Sequence, residues 1–190
     1  MIRTVCVFCA SSERLDPGYV ADAQRLGTLL GRRGWRMVFG GGTIGLMGAV
    51  ARAVHAEGGH VTGVIPHLLN IDGVAYTACD ELITTRDLRE RKSEMDARSD
   101  AFIALPGGFG TLEEIAEHLA LRQLNVHPRP VVLLNTRGFY DPLMAFFAHL
   151  IEERFAREEH RSLYHVASNP ADAIDYLEHY RAPAFPNKVG

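Results

Sequence analysis

The run Leu105-Pro106-Gly107-Gly108-Phe109-Gly110-Thr111-Leu112-Glu113-Glu114 gathers residue types that could grip a phosphorylated ligand and act on it. Gly107, Gly108 and Gly110 let backbone N–H groups crowd together with no side chain in the way. Before them, Asp100 to Leu105 is a short apolar run that reads as a buried strand. After them, Leu112, Ile115, Ala116 and Leu119 recur at helical spacing. The glycines therefore fall at a strand-to-helix turn, where exposed amides and the helix dipole favour an anion. Glu114 lies one helical turn beyond Thr111, a carboxylate beside a phosphate seat. The same residues also fit a capping box, Thr111-x-x-Glu114, in which the carboxylate only satisfies backbone amides. Pro-Gly-Gly weighs against that simpler role, because a cap needs one glycine at most.

A second glycine-rich turn, Gly40-Gly41-Gly42-Thr43-Ile44-Gly45-Leu46-Met47-Gly48, follows the apolar strand Trp35 to Phe39. It contains G-x-G-x-x-G, but the next strand, Val61 to Ile65, ends in Pro66-His67. The acidic residue that holds a dinucleotide ribose is missing, which disfavours NAD. No Gly-Lys-Ser/Thr is present, so the turn is not a P-loop. Phosphate binding at Gly41 and Gly42 and tight helix packing remain equal readings. Between the two turns, Leu88 to Ser99 has helical spacing, and Arg91 falls on the line between Leu88 and Met95. Such an arginine either snorkels to solvent or points inward at a ligand or carboxylate.

The elements that must position these residues alternate along the chain. Val5–Cys9, 35–39, 61–65, a short piece at 81–85, 101–105, 130–134 and 164–167 read as strands. Helices are expected from Asp16-Pro17 to Gly34, at 49–57, 88–99, from 112, at 143–153, and from Asn169-Pro170 to Tyr180. Residues 68–78 read as a loop and 157–161 as a charged, solvated link. Alternating strands and helices argue a doubly wound parallel α/β sheet with helices on both faces. Both glycine-rich turns then lie at its carboxyl edge, where such folds bind ligands. Residues 1–181 make one catalytic domain on this reading, with a Pro-containing tail at 182–190 that frays.

Composition narrows the classes. The chain has 190 residues, 47% of them hydrophobic, and a formal net charge of −3. That suits one cored domain and gives no general pull toward nucleic acid or an anionic membrane. No apolar run is long enough to span a bilayer, and the N-terminus reads as a strand rather than a signal peptide. The three cysteines suit a reducing, cytoplasmic setting. Cys6-x-x-Cys9 lies in or beside a strand with its thiols on opposite faces, which fits buried structural cysteines better than a redox pair. Only Lys92 and Lys188 are lysines among 20 basic residues. No metal-ligand spacing stands out, and no cofactor is expected.

The combination of Gly40-Gly41-Gly42-x-x-Gly45-Leu46-Met47-Gly48, Gly63-Val64-Ile65-Pro66, Glu90-Arg91-Lys92-x-x-Met95 and Pro106-Gly107-Gly108-x-Gly110-Thr111-x-x-Glu114 resembles the LOG (LONELY GUY) family. Those proteins are cytokinin riboside 5′-monophosphate phosphoribohydrolases, many once labelled lysine decarboxylases. The resemblance runs from about Val5 to Tyr180. It implies a Rossmann-like domain, a homodimer with the site near the interface, and hydrolysis of a nucleoside 5′-monophosphate to free base and ribose 5-phosphate. The catalytic pair it implies is Arg91 and Glu114. Substrate contacts fall on Glu81, Lys92 and Gly107 through Thr111, with Phe109 and Glu113 in the same stretch. The chain departs from the family where Ala10 stands for a common glycine, and where Ala120-Leu121-Arg122-Gln123 replaces Thr-Trp-x-Gln. A pyridoxal-dependent decarboxylase needs a Schiff-base lysine, for which only Lys92 lies inside the domain. A non-catalytic nucleotide sensor would keep the phosphate turns but need neither Arg91 nor Glu114.

Overall fold

The computed structural model describes residues 2–182. Seven strands form one parallel sheet: β1 (Thr4–Phe8), β2 (Arg36–Phe39), β3 (Val61–Pro66), β4 (Glu81–Thr85), β5 (Ala101–Ala104), β6 (Val131–Leu134) and β7 (His165–Ala167). Their order is β4-β3-β2-β1-β5-β6-β7. The chain steps outward from β1 on one side, then returns to its other side with β5. The loops after β1 and β5 thus diverge, and a cleft opens between them at the carboxyl edge. Leu105 N–H donates to Phe8 O at 2.9 Å and Ala10 N–H to Pro106 O at 3.2 Å, which ties the two strand ends together below that cleft.

The helices are α1 (Pro17–Arg32), α2 (Gly45–Ala56), α3 (Leu88–Ala97), α4 (Phe109–Gln123), α5 (Asp141–Glu152) and α6 (Pro170–His179). Strand alternation divides them. Val5 and Val7 face α1, α2 and α6 through Leu26, Leu30, Val50, Val54, Ile174 and Leu177. Cys6 and Phe8 face α3, α4 and α5 through Met95, Ile115, Leu143 and Met144. Period two thus puts Cys6 and Cys9 in opposite cores, both as free thiols. Caps follow the sequence: Asp16 accepts from Gly18 N–H, Asp87 from Arg89 and Glu90 N–H, and Asn169 from Asp172 N–H.

Several boundaries differ from the sequence reading, among them the start of α4 at Phe109 rather than 112. Helix α2 begins at Gly45 rather than Ala49, because Leu46 and Met47 N–H donate to Ala10 O at 3.0 and 3.4 Å and anchor an earlier turn. Residues Glu158–Leu163 form a 3₁₀ helix that buries Leu163, not an open link. The expected fraying of the tail falls on residues 183–190, outside the described residues. Among the described residues no helix is long and apolar enough to cross a membrane.

Gly45 makes the α2 contact possible. Its φ is +61°, and a Cβ there would lie 2.6–2.8 Å from backbone atoms of Ala10, Ser11 and Ser12. Gly45→Ala is expected to lower folding stability by about 3 kcal/mol through backbone strain and the clash. Denaturant unfolding should show a lower midpoint with an unchanged m value.

Candidate active site

The cleft holds about 450 Å³ and is walled from three sides. The loop after β1 supplies Cys9, Ala10 and Ser11. The second glycine-rich segment supplies Gly40, Gly42, Ile44 and Met47, and Ile65, Leu69 and Val74 close the far wall. Arg91, Gly108, Phe109, Gly110, Thr111 and Glu114 form the remaining side.

Gly108 is the residue that precedes α4, and no side chain caps that helix. The first intrahelical donor is Leu112 N–H, which reaches Gly108 O at 3.0 Å. The amides of Phe109, Gly110 and Thr111 belong to the first turn, whose N–H groups have no carbonyl within the helix. A Cβ on Gly108 or Gly110 would meet nothing within 4 Å, so these two glycines face open space. Together they make an anion seat at a helix N-terminus. Thr111 is buried inside the first turn rather than ahead of it, and the capping box is not formed.

Glu114 follows on the same helix with 7% of its surface exposed. Its Oε1 accepts from Arg91 Nη1 at 3.1 Å. Arg91 Nε donates to Val64 O at 3.2 Å, so the arginine points inward, across the sheet edge, instead of snorkelling. Its guanidinium lies against Gly40, where any Cβ would collide with Arg91 Nη2. Burial pushes the Glu114 carboxyl up to about 6, against the opposing pull of the Arg91 charge.

The second glycine-rich turn divides by role. Gly40 and Gly42 border the cleft, whereas Gly45 and Gly48 allow α2 to pack closely. The first-turn amides of Leu46 and Met47 are engaged by Ala10 O, which favours the packing reading of this turn over an anion seat. Gly41 turns away toward β3, with a φ of +73° and Ile65 beneath it. The segment is braced by the following loop: Tyr76 N–H donates to Gly41 O at 2.7 Å and Thr43 N–H to Val74 O at 2.8 Å. His55 in turn bridges Tyr76 Oη at 2.9 Å and Asp80 Oδ2 at 3.0 Å.

The residues expected at the site separate into a centre, a rim and two outliers, Gly41, which turns away toward β3, and Glu81. Arg91, Glu114, Gly108, Phe109, Gly110, Thr111 and Gly42 meet at the cleft. Gly107 lies beneath Thr111, and its bare Cα is what lets the threonine fold over it. Lys92 pairs with Glu113 and, at 2.8 Å, with Glu117, so Lys92 and Glu113 occupy the outer side of α3 and α4. Glu81 is not brought to the cleft. It opens β4 at the amino edge of a parallel sheet and pairs with Arg98 at 3.5 Å.

Sequence reasoning missed Gly40 as the platform for Arg91, and the apolar wall of Ile44, Met47, Leu69 and Val74. It also missed Tyr140, whose buried hydroxyl donates to Leu105 O at 2.7 Å just before the Pro-Gly-Gly turn. None has a local signal, since each depends on contacts between distant segments.

The raised Glu114 pKa has a testable consequence for stability. A carboxyl held above its unfolded value favours the folded state while protonated, and that advantage is lost as pH rises from 4.5 through about 6. The amide introduced by Glu114→Gln cannot ionise. The wild type is therefore expected to lose about 2 kcal/mol relative to this variant across that window. Parallel denaturant melts of both proteins at several pH values will measure the difference.

The chain is similar to known proteins over most of its length. The family model described as "Possible lysine decarboxylase" matches residues 47–177. The chain is 46% identical over 178 residues to the probable cytokinin riboside 5′-monophosphate phosphoribohydrolase LOGL2 of Oryza sativa subsp. japonica, covering 94% of this chain and 73% of that protein. It is 42% identical over 179 residues to the cytokinin riboside 5′-monophosphate phosphoribohydrolase LOG5 of Arabidopsis thaliana, covering 94% and 78%. Among solved structures, the Moco carrier protein of Chlamydomonas reinhardtii superimposes with a TM-score of 0.72 at 25% identity over 94% of this chain and 96% of that one. The molybdenum cofactor binding protein of Rippkaea orientalis gives 0.72 at 23% identity, with the same coverage, and shares the fold. On the family model and these relatives, the chain belongs to the LOG family of cytokinin riboside 5′-monophosphate phosphoribohydrolases.

Proposed function

We propose that this protein hydrolyses the N-glycosidic bond of adenine nucleoside 5′-monophosphates, releasing free base and ribose 5-phosphate. The observation that carries the reading is the buried Glu114–Arg91 pair, set one helical turn beyond uncapped amides at the start of α4. The names of the relatives support the same reaction.

On this reading the 5′-phosphate sits on the amides of Phe109, Gly110 and Thr111, which pins the sugar near Glu114. Breaking the glycosidic bond develops positive charge on the ribose, as in other glycoside hydrolyses. The Glu114 carboxylate, mostly ionised at neutral pH, faces that charge and orients the attacking water. Water supplies a hydroxyl to C1′ and a proton to the departing base. Arg91 fixes the carboxylate's direction and keeps it from being buried alone. The apolar wall of Ile44, Met47, Ile65, Leu69 and Val74 suits a purine with an apolar N6 substituent, such as isopentenyladenosine monophosphate, over plain AMP.

No residue of α5 is fully buried: Phe146 is exposed, and Phe147, Leu150 and Ile151 are half-buried. They support a homodimer formed through this face, which adjoins the helix of Glu114 along Leu119 and Gln123. The three free thiols suit a cytoplasmic setting. Pyridoxal chemistry does not fit: Lys92 Nζ is held by Glu113 and Glu117 outside the cleft lining.

Incubation with AMP and with isopentenyladenosine monophosphate, followed by chromatography, should show free base from both and faster release from the second. Tight nucleotide binding without base release would instead make the protein a sensor. Glu114→Gln and Arg91→Ala should each lower turnover on the order of a hundredfold or more with the fold retained. Gly40→Ala should reproduce much of the Arg91→Ala loss by displacing the guanidinium, although Arg91 itself remains.

A further inference from the structure

A cluster of polar side chains lies behind the candidate active site, where α3, α4 and the turn after α4 meet beside Phe102. His118 of α4 stacks on Phe102 with ring centroids 3.7 Å apart, and Phe8 covers the same imidazole at 5.4 Å. Its Nδ1 lies 3.4 Å from His127 Nε2 and 3.7 Å from Asp96 Oδ1. One ligand atom from each residue lies within 4.8 Å of the other two. Both histidines are buried, while the Asp96 side chain keeps 36% exposure. None of these three residues lines the cleft.

We propose that Asp96, His118 and His127 bind one divalent transition-metal ion of the zinc type, as a clamp between α3, α4 and the turn after α4. Two imidazole nitrogens and a carboxylate oxygen form a common donor set for this ion, with water in the fourth position. Ligands 2.0–2.1 Å from a tetrahedral ion lie roughly 3.3 Å from one another. The 3.4 and 3.7 Å separations at His118 Nδ1 are close to that spacing. As a direct hydrogen bond, by contrast, the imidazole contact is long.

The surroundings both assist and limit the site. Burial keeps both imidazoles neutral at neutral pH, the state in which they ligate. Arg129 Nη2 donates to Asp96 Oδ1 at 2.6 Å, and the guanidinium stands over Phe102 at 4.8 Å. It fixes the direction of the carboxylate through the same oxygen that faces His118, which the ion would share with the guanidinium. Its positive charge opposes the ion, so affinity is moderate, and the exposed side of Asp96 is the route of entry. Asp96 lies on the helix of Arg91 and His118 on the helix of Glu114, so an ion here would fix the spacing of the two helices without touching substrate.

The test uses the full-length, untagged protein after chelator treatment. Titration with ZnCl2 by calorimetry should give one ion per chain and raise the melting temperature. CoCl2 should give the intense visible absorption of a tetrahedral site. His118→Gln and His127→Gln should each abolish all three responses, whereas substitution of the exposed His149 should leave them intact. Absence of saturable zinc binding, or binding that survives in both variants, would overturn the proposal. If the variants fail to fold, zinc X-ray absorption on the wild-type protein decides: two imidazole ligands support the site, and fewer refute it.

Discussion

A guanidinium and a carboxylate held together away from water contribute little to stability, because stripping both of solvent consumes most of their attraction. The contact between Arg91 and Glu114 is of this kind, with side-chain exposures of 13% and 8%. Much of the carboxyl edge is arranged around it. Gly40 leaves room for the guanidinium, Val64 O takes its Nε proton, and α3 and α4 are fixed so that the charges meet. Removing either partner would strand the other in a poorly solvated wall. A pair that stabilises the fold so weakly, yet constrains so many neighbours, is better explained by what it presents to the cleft.

Topology makes that presentation possible. In a parallel sheet every strand sends its carboxyl end to the same edge, and the change of direction at β1 leaves β1 and β5 with loops running apart. The second glycine-rich segment, Arg91 and the Pro-Gly-Gly turn come from three separate crossovers. They meet only because β2, β1 and β5 are neighbours. The glycines then take separate tasks. Gly108 and Gly110 leave amides open, Gly40 admits a side chain from another helix, and Gly45 lets two backbones touch.

How much of this could be read from sequence depended on how local each cause was. Pro106 to Glu114 was legible because strand, turn and helix signals follow one another within a few residues. The strands, their alternation with helices, and the Asp16 and Asn169 helix starts were governed by similarly local rules. The Asp87 cap was less legible, for it lacks the following proline that marks the other two. The direction of Arg91 was not legible, since helical period alone allows an inward cation or a snorkelling one. What decided it was Val64 O and the bare Gly40, both distant in the chain. Likewise the start of α2 depended on Ala10 O, and the capping box failed because the helix already begins ahead of Thr111. Glu81 rests on family likeness alone, and its place as the first residue of a parallel strand already sets it at the edge away from the cleft.

Tyr140 couples regions that otherwise look independent. It is the residue before α5, and its hydroxyl donates to the carbonyl of Leu105 where β5 hands over to the Pro-Gly-Gly turn. One buried phenol thus spans the gap between the outer helix layer and the end of the central strand, holding the start of α5 in register with the turn beside it.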